Sequence, residues 1–295
     1  MARPITDIYN LEGATRLTKY SELAELIRSF ANGDLQGLVL VASPGLGKSE
    51  TLLKAVEGKG AAFIRGFLTP LKLFARCYQY ANKPIILDDT EAMFRSSHVR
   101  EILTALTETK PNRVMEWSSS STLLDEMGVP PKFTTSSPVT VIRNTWDSTD
   151  PLLAALASRA EFVTFIPTWA EVYSFLATWF WDQEILDYVH KRMFYLRQPD
   201  IRVVMKAWQR KVTNNSIMTW QRAIDDHSDV DPAIIHAKDL LANKKYKSDN
   251  ARSKIWVEAG HGHRATFFRT VNRLRAFLPL EPVKRLKAQG KARVS

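Results

Sequence analysis

Eight consecutive residues, Ala42-Ser43-Pro44-Gly45-Leu46-Gly47-Lys48-Ser49, have the types and spacing that hold a phosphate group. They follow the apolar run Leu38-Val39-Leu40-Val41 and precede the helical stretch Glu50-Thr51-Leu52-Leu53-Lys54. A strand that opens through a glycine turn into a helix aims backbone N–H groups at one point, and the helix N-terminus adds partial positive charge there. Gly45 and Gly47 let the chain curl closely round phosphate, with Pro44, Leu46 and Glu50 completing the turn and the helix start. Lys48 would reach the β- and γ-phosphates of a nucleotide, and the Ser49 hydroxyl would hold Mg²⁺. The pattern is G-x-x-x-x-G-K-[ST], with Ala42 where its first glycine is expected.

A second group lies some forty residues downstream in Ile85-Ile86-Leu87-Asp88-Asp89. Apolar residues running into two carboxylates place both at the carboxyl end of a strand, the rim where ligands bind in parallel sheets. Asp88 would hold Mg²⁺ through water, and Asp89 would polarise the attacking water. Asp is one methylene shorter than Glu, so Glu91 is the alternative for that duty. Asn144 ends the strand 139–143, where its amide would orient the same water. Arg159 closes a helix just before another strand, and taken alone it reads as a cation offsetting the helix dipole.

These residues need a parallel sheet to bring them together, and the chain provides the elements for one. Strands are expected over 37–42, 61–66, 85–89, 139–143 and 161–166. Helices are expected over 20–32, from the glycine turn to about 56, and over 70–80, 92–109 and 151–159. Strands alternating with helices imply an α/β fold with a parallel, doubly wound sheet. Residues 1–20 read as polar and irregular, and 125–137, with Gly128, Pro130 and Pro131, as a surface loop. From Pro167 the pattern turns wholly helical, over 168–181, 183–196, 200–212 and 219–224. Trp169, Tyr173, Phe175, Trp179, Phe180 and Trp181 recur there at helical spacing, which favours core over base stacking.

The chain has 295 residues, 45% of them hydrophobic, and one cysteine. Cys77 lies in the helical apolar pattern Phe74-Ala75-Arg76-Cys77-Tyr78 and reads as core. One cysteine permits no internal disulfide and suggests a cytoplasmic protein. No apolar run is long enough to span a membrane, the start has no secretory pattern, and no zinc site is suggested.

The net charge of +10 is unevenly spread. Residues 237–295 hold 15 basic and 4 acidic groups, whereas the rest of the chain holds 26 and 27. A neutral body with a basic end points to nucleic acid or another anionic surface. Helices are expected over 232–242, 249–259 and 265–277, the last two joined by Gly260-His261-Gly262-His263-Arg264. That pair resembles a helix-turn-helix module. Arg264, Thr266, Arg269 and Arg273 would face DNA, while Phe267, Phe268, Val271 and Leu274 would pack. His261 and His263 read as turn residues, and the run from Lys284 as a basic end suited to phosphate contact.

The order of phosphate loop, Ile-Ile-Leu-Asp-Asp, strand with terminal Asn, and Leu156-Ala157-Ser158-Arg159 before an apolar strand resembles the AAA+ ATPases over roughly residues 20–225. The resemblance implies a nucleotide-binding α/β domain over 1–166, a helical lid over 167–226, and, beyond it, the basic module over 227–295. It implies ATP and Mg²⁺ as ligands, with Asn144 as the sensor-one residue and Arg159 as an arginine finger acting on a neighbouring subunit. Arg202 stands where a sensor-two arginine contacts nucleotide. A finger acting in trans implies a homo-oligomer, a hexamer-like ring or a helical filament. Ala42 and Asp89 depart from the family's pattern and bear on hydrolysis more than on binding.

The function expected from these features is an oligomeric ATPase that couples ATP binding to assembly or loading on DNA, with a protein partner to load or remodel. Two alternatives stand beside it. One is a protein-remodelling ATPase, for which Phe67 or Trp117 would have to line a pore. The other is an ATP-dependent scaffold that needs Lys48 but is indifferent to Asp89.

Overall fold

The computed structural model describes residue 8 and residues 11–277, apart from 91, 120, 194, 195, 197, 214–216, 228–231, 244 and 247. It divides into two compact units, Met1–Pro167 and Thr168–Ser295.

The first unit is built on a six-stranded parallel sheet. In chain order its strands are β1 (Thr15–Leu17), β2 (Gly37–Ala42), β3 (Ala62–Arg65), β4 (Ile85–Asp88), β7 (Val139–Arg143) and β8 (Glu161–Phe165). Two further strands, β5 (Arg113–Glu116) and β6 (Lys132–Thr135), form a separate antiparallel pair. The order across the main sheet is β1-β8-β2-β7-β4-β3. Strand β2 is therefore flanked by β8 and β7, and β4 is separated from it by β7.

Helices cover both faces. On one face Val39, Val41, Ile85, Leu87, Val139 and Val141 pack with buried residues of α3 (Pro70–Gln79), α4 (Ser97–Leu106) and α6 (Pro151–Arg159). The alternate residues Leu38, Leu40, Ile86 and Ile142 point the other way and are also buried. That second face receives α1 (Tyr20–Asn32), whose Tyr20 ring meets Phe165 edge-on with centroids 5.0 Å apart. Strands buried on both faces read as continuous apolar runs, which is why β2, β4 and β7 are so plain in the sequence. The parallel, doubly wound α/β fold is thus as expected.

Three details differ from the sequence reading. Residues 15–17, expected to be irregular, form β1 along the edge of β8; three residues are too few for their own pattern to announce a strand. Residues 132–135, expected in a surface loop, form β6 against β5, and α5 (Thr122–Glu126) links the pair. The helix expected over 92–109 is a 3₁₀ turn at Met93–Arg95 followed by α4, with Ser96 extended (φ −81°, ψ 127°) as its N-cap. Serine competes for backbone hydrogen bonds and so favours helix starts over interiors.

The second unit is helical. It comprises α7 (Trp169–Trp179), α8 (Gln183–Arg192), α9 (Ile201–Thr213) and α10 (Trp220–Asp225), then α11 (Pro232–Ala242), α12 (Asp249–Glu258) and α13 (Arg264–Phe277). The aromatic run is not uniformly core. Trp169, Tyr173 and Phe180 are buried, but Trp179 and Trp181 are 40% and 55% exposed. Helix α7 ends at Trp179, so Trp181 lies beyond the helical period that would have turned its ring inward. Helices α11–α13 pack on a core of their own made by Ala237, Leu240, Trp256, Phe267, Val271 and Leu274. The Trp256 indole sits at its centre, fully buried, and donates to the Ala233 carbonyl at 2.8 Å. Among the described residues no helix is long and apolar enough to cross a membrane.

Candidate phosphate-binding site

Strand β2 ends at Ala42, and five residues separate it from the next helix, α2 (Lys48–Ala55). Gly45 and Gly47 both adopt left-handed backbone, φ 78° and 75°, which a side chain would oppose. Gly47 is the N-cap of α2, so the turn delivers the first free amides of the helix to its own concavity. The turn is braced from below: Leu46 is buried, and its carbonyl accepts the Tyr20 hydroxyl at 3.1 Å.

Lys48 is buried, and its ammonium curls back over the turn. It donates to the carbonyls of Ala42 (2.5 Å) and Ser43 (2.8 Å) and to Asn144 Oδ1 (3.0 Å). Asn144 follows β7, the strand inserted between β2 and β4, so the topology brings Lys48 and Asn144 together. Ser49 and Glu50 lie in the first turn of α2, Ser49 half-buried and Glu50 and Pro44 exposed.

Asp88 is the last residue of β4 and is buried. Its register partner is Arg65 on β3, and Arg65 Nε lies 3.0 Å from Asp88 Oδ2. The next residue, Asp89, is exposed and left-handed at φ 55°, so the strand ends one residue earlier than expected. Asp tolerates that backbone better than Glu does, because its short carboxylate can bond locally. Next in the chain, Thr90 is buried with its hydroxyl lacking a hydrogen-bond partner among the described residues. Glu91 lies outside the described residues.

Arg159 is exposed at the end of α6, where its Nη1 donates to the Thr104 carbonyl at 3.1 Å. It precedes the amino end of β8, whereas the glycine turn follows the carboxyl end of the parallel neighbour β2. The two lie at opposite edges of the sheet, roughly 15–20 Å apart at 3.3 Å per strand residue. Arg202 belongs to the second unit, where it opens α9 with its N–H on Asp200 Oδ1 at 2.8 Å.

The donor set suits a magnesium nucleotide. A glycine turn capped by a helix and a lysine offers N–H donors to phosphate, while a hydroxyl and a carboxylate are hard oxygen ligands for Mg²⁺. Cys77 takes no part: it is fully buried, and burial pushes its thiol up to about 12. Sequence reasoning missed Tyr20 and Arg65. Arg65 ends its strand as Asp88 does, and that parallel alignment was the available signal.

In the second unit, Arg264, Thr266 and Arg269 are exposed on α13, while Phe267, Val271 and Leu274 are buried and Phe268 is half-buried. Arg264 donates to Asn250 Oδ1 at 2.6 Å and lies over the Phe268 ring. The side chain of Arg273 and residues 278–295 lie outside the described set. Asp249 anchors the α12–α13 pair by bonding Arg275 (2.5 and 2.9 Å) and Arg252 (2.8 Å). Those bonds to Arg275 hold the Asp249 carboxyl below the usual carboxylate range, against partial burial and with Arg252 adding to the effect. His261 packs against His236 and Trp256 in the turn.

The first unit is a parallel α/β sheet wound on both faces, with a glycine turn between a central strand and the following helix, the arrangement that presents backbone amides to phosphate. No protein-family model matches the chain, and no curated protein matches its sequence. Among solved structures it is similar to NtrX from Brucella abortus in complex with ATP, with a TM-score of 0.43 and 10% identity over 90% of this chain and 70% of that one.

Proposed function

We propose that the chain is a Mg²⁺-dependent ATPase of the AAA+ type that works as a homo-oligomer on DNA. The observation that carries this reading is the junction of Lys48 with Asn144 at the mouth of the glycine turn, one strand away from the buried Asp88. In this reading Lys48 and the turn amides bind the β- and γ-phosphates, and Ser49 and Asp88 hold Mg²⁺. The metal, when bound, neutralises charge on the phosphates. Asp89 or Glu91 aligns water with Asn144. The position of Arg159 at the far edge of the sheet suits an arginine that serves a neighbouring copy, and Arg202 senses the nucleotide from the helical lid. The basic α12–α13 pair contacts DNA through Arg264, Thr266, Arg269 and Arg273, and a protein partner is loaded or remodelled there.

A direct test measures ATP binding and turnover for the chain and for Lys48→Ala, together with DNA anisotropy for the whole chain and a form ending at residue 227. The reading requires ATP binding lost in Lys48→Ala, and DNA binding that needs the last 68 residues, falls steeply with salt and strengthens with ATP. DNA binding unaffected by the truncation would overturn the DNA part.

One observation favours a second reading, a slowly hydrolysing ATP-dependent scaffold. Asp89 is exposed and turned into left-handed backbone. A scaffold keeps its function in Asp89→Asn, whereas a cycling ATPase does not.

A further inference from the structure

Strand β3 is an edge strand of the main sheet, paired only with β4 among the described residues. Along it runs a cleft of about 300 Å³, at the small end of ligand-site volumes, lined by Phe63, Arg65, Leu68, Arg76 and Tyr80. Two guanidiniums enter this cleft, and no carboxylate lines it among the described residues. Each lies over an aromatic ring, Arg65 over Phe63 at 4.5 Å and Arg76 over Tyr80 at 5.9 Å. Stacking leaves the N–H edges of a guanidinium pointing outward and already oriented. Arg76 is exposed and has no carboxylate partner among the described residues. Arg65, with its side chain 53% exposed, spends only Nε on Asp88, so its two terminal nitrogens have no acceptor there.

We infer that this cleft is a second anion site, for a phosphoryl group held between Arg65 and Arg76, and that its occupant draws Arg65 away from Asp88. Paired guanidiniums match the oxygens of phosphate; Asp88 offsets Arg65 through Nε alone, and no carboxylate is paired with Arg76 among the described residues. The polar donors of the cleft are these two guanidiniums, which suit phosphate oxygens. Arg65 and Asp88 are directly opposed across β3 and β4, so Arg65 makes the cleft and the metal carboxylate competitors for one cation. The coupling to metal rests on the proposed role of Asp88; the anion site does not.

The test follows the arginine Nε–H signals by ¹⁵N NMR in the full chain carrying Lys48→Ala, so that the glycine turn does not take the probe. The probes are inorganic phosphate and hexathymidylate. Saturable movement of the Arg65 and Arg76 signals together, lost at Arg65 in Arg76→Ala, supports the site. A response only to phosphate assigns a small phosphorylated ligand, and a tighter response to hexathymidylate assigns a nucleic-acid strand. Signals unmoved by either probe overturn it, as does an Arg65 response that survives Arg76→Ala. If Lys48→Ala does not fold, the same comparison is made between the unaltered chain and Arg76→Ala. The coupling is read from the Mg²⁺ midpoint for binding a fluorescent ATP analogue, which Arg65→Gln should lower about threefold, the scale of a partly exposed ion pair. An unchanged midpoint overturns the coupling. No nucleotide binding at any Mg²⁺ concentration overturns the proposed ATPase instead, while the arginine signals still decide the cleft.

Discussion

Lys48 donates to Asn144 Oδ1 at 3.0 Å, although the two are 96 residues apart in the chain. The bond exists because β7 inserts between the strand that carries the glycine turn and the strand that ends in Asp88. In the proposed function it gives the site a lysine for phosphate and an amide for water at one point, and that reading separates binding from turnover. Lys48→Ala should weaken ATP binding tenfold or more, roughly the value of charge-assisted hydrogen bonds. Asn144→Ala should leave binding within a few-fold and slow turnover by about a hundredfold. Equilibrium binding of a fluorescent ATP analogue and steady-state phosphate release check both.

Gly37→Ala should destabilise the first unit. A Cβ at Gly37 would stand 2.9 Å from Ala160 Cβ and 3.2 Å from its Cα, where α6 turns into β8. Backbone cannot yield as a side-chain tip does, so the expected cost is about 1–3 kcal/mol. Urea unfolding of the full chain measures it, and an unchanged midpoint would contradict the close approach.

Asp249 links acidity to the stability of the α12–α13 pair. Its carboxyl is depressed in the folded chain, first by its bonds to Arg275. A depressed carboxyl stabilises the fold above its unfolded value, about 3.9, and that contribution disappears as pH falls through the lower folded value. Asp249→Asn should therefore melt a few degrees below the unaltered chain at neutral pH. The gap should close on acidification from about pH 4 downward. Paired thermal melts at stepped pH test this, and a gap independent of pH would argue against the ion pairs.

The same geometry divides the arginines of α13 by role. Arg275 is spent on Asp249, whereas Arg269 is exposed with no salt bridge among the described residues. Arg269→Ala should weaken DNA binding and lower the slope of log affinity against log salt by about one, with the melting temperature unchanged. Arg275→Ala should lower the melting temperature. Anisotropy over a salt series, alongside thermal melts, separates the two effects.

The sequence by itself determined the phosphate turn, the strands on which the site stands and the three-helix end, because these depend on local pattern. A glycine spacing, an unbroken apolar run and a helical period are written in neighbouring residues, as in Gly45 to Ser49, Ile85 to Asp88 and Phe267 to Leu274. Tertiary structure alone decided which distant residues meet. The strand order put Asn144 beside Lys48, and the register of β3 on β4 put Arg65 on Asp88. The parallel direction of β8 placed Arg159 at the edge away from the turn. Elements too short to carry a period, β1 and β6, formed only because a partner strand was waiting for their hydrogen bonds. Exposure of Trp181 was equally beyond local pattern, since helical spacing gives a direction only as far as the helix runs.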